Sequence, residues 1–211
     1  MRIVIFGANG KVGSLLVAQA LAEGHQVIAY IRKSGSVLNE HPNLKVIVGN
    51  LNEALKMADA IAGADACIST IGSKSLIRRT PQIVAGMDNI VSIMKQEGVH
   101  RFIYLSSIGA GESRFMIAWP IRLLVVNLVL RAPLADHNAN EQRIASSNLL
   151  WTVVRPCGYT DGPLTKNIQH GIIKFTLRTN SVISRANVAY FMLKQLSDET
   201  YINKCVWLYE K

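Results

Sequence analysis

An apolar run, IVIF at residues 3–6, leads directly into the glycine-containing stretch GANGKVG at residues 7–13. The length of the run and its branched side chains predict a buried β-strand. Residues 14–23 are then predicted to form a helix that Gly24 ends, and residues 26–31 form a second apolar run. The sequence therefore opens with a β-α-β unit, which is how a doubly wound parallel sheet begins.

The turn between the first strand and the helix is suited to an anion. Glycines permit a tight turn and let the backbone come close to a ligand. The free N–H groups at a helix start, together with the helix dipole, favour negative charge there. In a strand–turn–helix–strand frame, this combination predicts that residues 7–13 bind the pyrophosphate of a dinucleotide. The alternative is a tight turn with no ligand.

The end of the second strand indicates which dinucleotide is bound. An acidic residue there favours the ribose hydroxyls of NAD, and a basic residue favours the 2′-phosphate of NADP. This chain has Arg32 and Lys33 at that place and no acid between them and Glu40. Arg32 can hold a phosphate in a fork, and Lys33 adds a point charge. NADP is therefore expected rather than NAD, unless the two residues are simply solvated surface bases.

The glycine spacing G-x-x-G-x-x-G and several later segments resemble the short-chain dehydrogenase/reductase superfamily, in its extended and atypical branches. The segments are VGNL at residues 48–51, DACISTIG at 65–72, FIYLSSIG at 102–109 and WTVVRP at 151–156. They occur in the family's order along nearly the whole chain. The resemblance implies an α/β fold with a Rossmann-type doubly wound parallel sheet, in a single domain over residues 1–211. Within it, about 158–211 would contribute the substrate pocket.

The resemblance also implies which residues contact the cofactor. Asn50 stands where the family has an acid facing the adenine amino group, and its side-chain carbonyl can still accept that hydrogen bond. The loop after the sixth strand passes the nicotinamide in that family. The expected cofactor-binding residues are Gly7, Ala8, Asn9, Gly10, Lys11, Val12, Gly13, Arg32, Lys33, Asn50, Leu51, Thr70, Ile71, Gly72, Ser106, Pro156 and Cys157.

The catalytic position departs from the family pattern. Typical members carry a tyrosine and, four residues later, a lysine on the helix after the fifth strand. Counting back from Glu141, which opens a stretch resembling the family's segment before the sixth strand, places His137 at the lysine position and Pro133 at the tyrosine position. The spacing does occur at Tyr190 and Lys194, which we interpret as a chance match because it follows the sixth strand.

The Asp136–His137 pair without that tyrosine resembles the biliverdin-IXβ reductase/flavin reductase subfamily, often grouped with NmrA-like proteins. The resemblance implies hydride transfer from NADPH to a flavin-like, quinone-like or other conjugated acceptor, which can take its proton from water. Ser107 and His137 are the candidate catalytic residues; the alternatives are a helix cap for Ser107 and a solvated first turn for His137. Two other functions stay open. One is a non-catalytic NADP-binding redox sensor, and the other is a sugar-nucleotide epimerase-like enzyme, which the missing tyrosine–lysine pair disfavours.

Composition limits the partners. The charged share is 18%, as expected for a sheet covered by helices on both faces. Cys67, Cys157 and Cys205 are too far apart for a metal site or a disulfide framework, so we predict no metal and a reducing, cytoplasmic location. No targeting segment precedes the first strand in this sequence. The net charge of +9 is dispersed, which favours an anionic cofactor over nucleic acid as the partner.

Residues 115–131 are unusually apolar. Arg122 and Asn127 argue against a membrane-spanning helix, since a charge at mid-depth costs roughly 2.5–3.5 kcal/mol on insertion scales. We expect a helix that lines an apolar acceptor pocket or forms a homodimer interface, with loose membrane association as a third option.

Two polar residues are predicted helix caps in the second half of the chain. Asp136 would cap a helix that runs to about Ser147, and Ser184 would cap one that runs to about Leu196. Residues 204–209 are predicted to form a final strand.

Replacing both Arg32 and Lys33 by alanine should remove the preference for NADPH over NADH. Hydrogen bonds to a charged phosphate contribute roughly 1.5–3 kcal/mol, so the double variant should lose that much affinity for NADPH only. Titration calorimetry with both cofactors measures it, and NADH serves as the internal control. Equal affinity of the unmutated chain for the two cofactors would contradict the assignment.

Overall fold

The structure is a computed structural model that describes residues 1–33, 40–73, 75–172 and 181–210. Residues 173–180, which belong to the expected pocket region, lie outside it, as do the side chains at positions 121, 125, 127 and 128. The described strands are β1 (Arg2–Phe6), β2 (Gln26–Ile31), β3 (Leu44–Val48), β4 (Ala66–Ser69), β5 (Arg101–Leu105), β6 (Leu150–Pro156), β7 (Gly158–Thr160), β8 (Ile168–Gly171), β9 (Val182–Ser184) and β10 (Lys204–Glu210). The helices are α1 (Lys11–Ala22), α2 (Ala54–Ile61), α3 (Pro81–Gln96), α4 (Trp119–Ile121), α5 (Arg131–Ala145) and α6 (Arg185–Lys194).

Most of these strands form one central sheet with the order β3-β2-β1-β4-β5-β6-β10-β8. Neighbouring strands run parallel, except that β8 pairs antiparallel with β10 at one edge. The chain moves outward from β1 to β3 and then crosses back to β4, so the winding reverses between β1 and β4. This is the Rossmann-type doubly wound parallel sheet that the opening β-α-β unit predicts, and ligands of such sheets bind outside the carboxyl ends of the strands at this reversal.

Both faces of the sheet are covered, which explains why β1 is apolar from Ile3 to Phe6. Ile3 and Ile5 pack into the cluster that contains α1 and α6. Val4 and Phe6 point the other way, into the cluster that contains α2, α3 and α5. All four side chains are fully buried. Successive side chains of a strand point to opposite faces, so a strand buried on both sides must be apolar at every position.

The C-terminal part of the chain completes the sheet. β10 lies between β6 and β8, and β7 pairs with β9 in a separate two-stranded sheet. Ser184 caps α6 as predicted, because its side-chain oxygen accepts a hydrogen bond from the backbone N–H of Asn187 at 3.1 Å. The final strand at β10 is also confirmed. None of the described helices is long and apolar enough to cross a bilayer.

The expected cap at Asp136 is wrong. α5 begins at Arg131, so Asp136 lies inside the helix, where it is 2% exposed. Its carboxylate instead accepts hydrogen bonds from Arg79 Nε at 3.0 Å and from the backbone N–H of Thr80 at 2.7 Å. The carboxylate thus accepts hydrogen bonds from residues that are distant in sequence, and not from the first turn of its own helix. The carboxylate therefore ties the start of α3 to α5.

A buried ion pair holds α5 against β6. Arg155 on β6 donates to Glu141 on α5 through Nε, at 3.0 Å, and through Nη2, at 2.7 Å. Ser106, which follows β5, donates its hydroxyl to Glu141 Oε1 at 2.6 Å, and Glu112 accepts from Arg155 Nη1 at 2.7 Å. Arg155 and Glu141 are 4% and 7% exposed, so the Glu141 carboxylate depends on Arg155 for charge compensation, while Arg155 also pairs with Glu112.

Arg155→Met should lower the free energy of unfolding by about 3–5 kcal/mol, because it leaves the buried Glu141 carboxylate unpaired. Denaturant unfolding measures the loss, and the double variant Arg155→Met/Glu141→Leu should recover most of it. Arg185→Met is the matched control. Its partner Asp161 is 77% exposed, so that variant should lose less than about 1 kcal/mol. A loss of under about 1 kcal/mol in Arg155→Met as well would show that the buried pair is dispensable.

Candidate functional site

The glycine turn after β1 has a shape that other residues would not permit. Gly7 has a φ of +77°, in the region that favours glycine. A Cβ on Gly13 would lie 2.2 Å from the carbonyl oxygen of Gly7, so α1 approaches the turn closely only because Gly13 has no side chain. The N–H of Gly10 donates to the same carbonyl at 2.9 Å. The turn is therefore closed on one side by the helix that follows it.

The start of α1 presents uncapped backbone donors. Its N-cap is Gly10, which has no side chain to cap the helix, and its first turn contains no acid. The N–H groups of Lys11, Val12 and Gly13 therefore lack the side-chain acceptor that usually satisfies a helix start. A Cβ on Gly10 would contact only the Gly7 carbonyl, at 3.1 Å, so the space beside the donors is open. These features fit a pyrophosphate, which the turn would hold by its N–H groups and by the helix dipole.

The neighbouring positions of the turn divide between the core and the surface. Ala8 and Val12 are 0% and 8% exposed, so their side chains belong to the core and only their backbone can face a ligand. Asn9 and Lys11 are exposed beside the turn. The sequence predicts the stretch as a whole to bind the cofactor, but it does not show which of its side chains face the core and which face the surface.

The end of β4 packs against the glycine turn. The Thr70 hydroxyl lies 3.1 Å from the carbonyl oxygens of both Phe6 and Gly7. A Cβ on Gly7 would lie 2.9 Å from that hydroxyl and 3.2 Å from Ile71. Gly72 is exposed, and a Cβ there would meet nothing within 4 Å. Thr70, Ile71 and Gly72 therefore lie together at the point where the sheet reverses its winding.

The ends of β2 and β3 lie at the same carboxyl edge of the sheet as the glycine turn after β1. Arg32 and Lys33 are exposed immediately after β2, and the side chain of Asn50 is exposed after β3. The Asn50 backbone carbonyl accepts a hydrogen bond from the Tyr30 hydroxyl at 2.9 Å. Burial, and after it the charge of Glu53, raises the pKa of Tyr30 to about 12, so the phenol remains a donor. Sequence reasoning did not identify Tyr30.

Leu51 is fixed by α3. Its side chain occupies the space left by Gly86, where a Cβ would lie 2.5 Å away. Its backbone carbonyl accepts from Asn89 Nδ2 at 2.7 Å. The glycine in the middle of α3 thus allows the loop after β3 to pack closely against this helix.

The residues at the ends of β5 and β6 differ in whether their side chains are exposed and could contact a ligand. Ser106 is buried and its hydroxyl is engaged by Glu141. Ser107 is half-buried, and its hydroxyl donates to the Ile108 carbonyl at 3.1 Å. Pro156 and Cys157 are buried at the end of β6, and burial raises the pKa of the Cys157 thiol to about 12. Of these positions, Ser107 is the one whose side chain retains exposed surface.

His137 belongs to a hydrogen-bonded cluster that joins α5 to β5. Its Nδ1 lies 2.8 Å from the hydroxyl of Tyr104, and that hydroxyl accepts from Asn140 Nδ2 at 3.0 Å. Tyr104 is 0% exposed, and burial raises the pKa of its phenol. Burial also lowers the pKa of His137, against the opposing charges of Glu141 and Asp136, so the imidazole is neutral at pH 7.

The alternatives considered for these two residues differ from the structure. The N-cap of the 3₁₀ segment Gly111–Met116 is Ala110, not Ser107. His137 lies beyond the first turn of α5 and is half-buried rather than solvated. Sequence reasoning missed Tyr104 and Asn140. Asn140 follows His137 by three residues, a spacing that places two residues on one side of a helix. The sequence could therefore have predicted that Asn140 lies beside His137.

Tyr190 and Lys194, which have the tyrosine–lysine spacing, lie on α6 and not on α5. α6 packs against α1 in one hydrophobic cluster on the other side of the sheet from α5. Lys194 Nζ is 3.6 Å from Glu23, which follows the C-terminus of α1, whereas the glycine turn is at the N-terminus. Tyr190 lies beside the Lys194 and Lys166 ammonium groups. This arrangement supports the interpretation of the spacing as a chance match.

The apolar stretch at residues 115–131 is not one regular helix. The 3₁₀ segment Gly111–Met116 is followed by α4 and by a π-helical segment, Arg122–Val129. Val126 is 7% exposed and packs with Ala110 and Leu134, next to the loop that carries Ser107. Several other apolar side chains of the stretch point into solvent.

A family model described as NAD(P)H-binding matches residues 7–199. The matched range begins at the glycine turn and extends beyond α6. It therefore includes the candidate site as a whole.

Two solved structures resemble the chain along its length. ChuY, described as an anaerobillin reductase from Escherichia coli O157:H7, has a TM-score of 0.83 and 24% identity, covering 100% of this chain and 97% of that one. A short-chain dehydrogenase/reductase (wide type) from Veillonella parvula DSM 2008, in complex with NADP, has a TM-score of 0.84 and 18% identity, covering 99% and 94%. At such identities the likeness concerns the fold.

Among curated sequences, the uncharacterized sugar epimerase YhfK of Bacillus subtilis (strain 168) is 24% identical over 222 residues, covering 100% of this chain and 94% of that protein. The first curated relatives are longer. The chain spans about a third to a half of their length, 32% in one case and 46% in another.

Gly10→Val should abolish dinucleotide binding while the chain stays folded. Gly10 has a φ of −76° and a ψ of 169°, which any residue adopts, and the added side chain would occupy the open space beside the helix donors. Fluorescence titration with NADPH measures binding, and thermal unfolding checks the fold. Gly10→Ala should give a smaller loss. Full affinity in a folded Gly10→Val protein would show that pyrophosphate does not lie at this turn.

Proposed function

The chain belongs to the NAD(P)H-binding family, and on that premise we propose that it uses NADPH to reduce a flat, conjugated acceptor of the flavin-like or quinone-like class.

The cofactor would be held along the carboxyl edge of the sheet. The donors of Lys11, Val12 and Gly13 would take the pyrophosphate, and Arg32 with Lys33 would take the 2′-phosphate. A guanidinium offers paired N–H groups that match phosphate oxygens, which favours NADPH over NADH. When bound, NADPH supplies the hydride.

One observation carries the choice of acceptor. Between β5 and α5 the chain has a half-buried imidazole held by a phenol that is 0% exposed, instead of an accessible phenol beside a lysine. Tyr104 has no exposed surface, and burial raises its pKa, so it is unsuited to protonate a substrate carbonyl. A conjugated acceptor spreads the charge that hydride transfer creates and can take its proton from water. Such an acceptor does not need the missing tyrosine.

His137 would then act as a neutral hydrogen-bond donor. The Asn140 amide donates to the Tyr104 oxygen, and the phenol would in turn donate its proton to His137 Nδ1. The ring would then carry its own proton on Nε2 and donate from there. A fixed donor stabilises charge that develops on an acceptor atom during reduction. Ser107, on the loop beside α5, would orient the acceptor or the nicotinamide.

The acceptor would lie between this cluster and the region after β6, to which part of residues 158–211 would contribute. The described fold and the likeness to a structure described as an anaerobillin reductase support a reductase. The candidate site lacks the tyrosine–lysine pair on α5, which disfavours an epimerase-like reaction there. A redox sensor would bind NADPH equally well but would turn over no acceptor.

NADPH oxidation should be measured with FMN, FAD, dichlorophenolindophenol and simple quinones. We expect His137→Ala and Ser107→Ala each to lower kcat by about 10-fold, since about 1.4 kcal/mol is a plausible loss for one positioning hydrogen bond. Tyr104→Phe should also lower kcat, because the tautomer is no longer fixed, while the dissociation constant for NADPH stays unchanged. Tyr190→Phe is the control and should keep most activity.

The pH profile separates a neutral donor from an acid. The pKa of His137 is lowered from 6.5, so the ring stays neutral above that pH, and kcat should be flat from about pH 6.5 to 8. Activity should fall only at lower pH, where the imidazolium forms. A loss of about 10³-fold in Tyr190→Phe would overturn this site. Tight NADPH binding without turnover of any acceptor would instead favour the sensor.

A further inference from the structure

Residues 114–131 are here called the apolar–basic segment. Several of its large apolar side chains are exposed and do not belong to the hydrophobic core. The most exposed are Trp119 at 69%, Leu124 at 61%, Phe115 at 58% and Leu123 at 54%. Soluble domains rarely expose contiguous apolar surface of this kind unless it is an interaction site. The segment is nevertheless anchored, because Val126 packs inward with Ala110 and Leu134.

The same segment is basic. Arg114 and Arg131 are exposed, and Arg122 is half-buried. The guanidinium carbons of Arg114 and Arg122 lie 4.7 Å and 5.3 Å from the centre of the Phe115 ring, which brings the 3₁₀ and π-helical segments together. The sequence from residue 113 to residue 135 contains no aspartate or glutamate. Cationic and apolar residues are therefore interleaved along this stretch with no acid between them.

A second exposed stretch lies against α5, which continues from this segment. Ile77 is 89% exposed and Leu76 is 53% exposed, and Arg78 follows them. Arg79 is held by Asp136 of α5 at 3.0 Å, which fixes the stretch beside that helix. It repeats the combination of exposed apolar and basic side chains.

We propose that the apolar–basic segment binds the surface of an anionic lipid bilayer. Aromatic and leucine side chains would enter the boundary between headgroups and acyl chains, and the arginines would meet lipid phosphates at the anionic surface. A second copy of the chain is the less suitable occupant. It would bring like charges together, with no acid in either copy of the segment to compensate them.

Vesicle flotation tests the proposal with the full chain. We expect binding to phosphatidylcholine vesicles that contain about 30% phosphatidylglycerol, weak binding to phosphatidylcholine alone, and release at about 1 M salt, where the Debye length is about 3 Å. Leu123→Glu/Leu124→Glu should reduce binding by at least about ten-fold. Leu55→Glu is the matched control, because Leu55 is 85% exposed on α2, and it should bind as the unmutated chain does.

Tryptophan fluorescence and an arginine double variant test the apolar and the basic parts of the proposed contact separately. Trp119 fluorescence should shift to shorter wavelength on anionic vesicles, and Trp119→Phe should remove the shift. The double variant Arg114→Gln/Arg122→Gln leaves the apolar side chains in place and should weaken vesicle binding. NADPH affinity checks that each variant is folded. No binding to anionic vesicles, or equal binding by the leucine variant, would overturn the proposal. A dimer in light scattering that only the leucine variant disrupts would also overturn it, in favour of an interface between copies.

Discussion

The approach of α1 to the end of β1 is the constraint on which the site depends. The Gly7 carbonyl occupies the space where a side chain at Gly13 would be, so the helix can begin directly at the turn. Gly10 adds no side-chain cap, so the donors at the helix start have no side-chain acceptor. The same missing side chains therefore permit both the close packing and the proposed anion site. Thr70 and Ile71 then close the turn from β4.

The other half of the candidate site depends on how α5 is held. Arg155, Glu141 and Ser106 connect the helix to the ends of β6 and β5, and Asp136 connects it to α3. These buried polar contacts fix the position from which His137 meets Tyr104. The polar side chains of α5 therefore serve mainly to place the helix, and the proposed chemistry follows from that placement. The apolar–basic segment leads into the same helix from the exposed side.

The sequence predicts the fold better than the second half of the site. The apolar runs, the glycine turn, the Ser184 cap and the last strand are local patterns, and they are confirmed together with the NAD(P)H-binding family and its cofactor class. Asp136, by contrast, was expected at a helix start, whereas α5 begins at Arg131. Tyr104 reads as one more apolar residue of β5, since its hydroxyl acquires a role only when α5 packs above it. Such features depend on contacts between elements distant in sequence, which no local pattern encodes.

Amide hydrogen exchange with and without NADPH tests the central claim most directly, because it reports on the backbone donors themselves. The account predicts that saturating NADPH slows exchange at Lys11, Val12 and Gly13 more than at the start of α6, a helix of the same sheet whose first turn is capped by Ser184. Protection confined to other segments, with unchanged exchange at the start of α1, would contradict the claim that this helix terminus holds the cofactor.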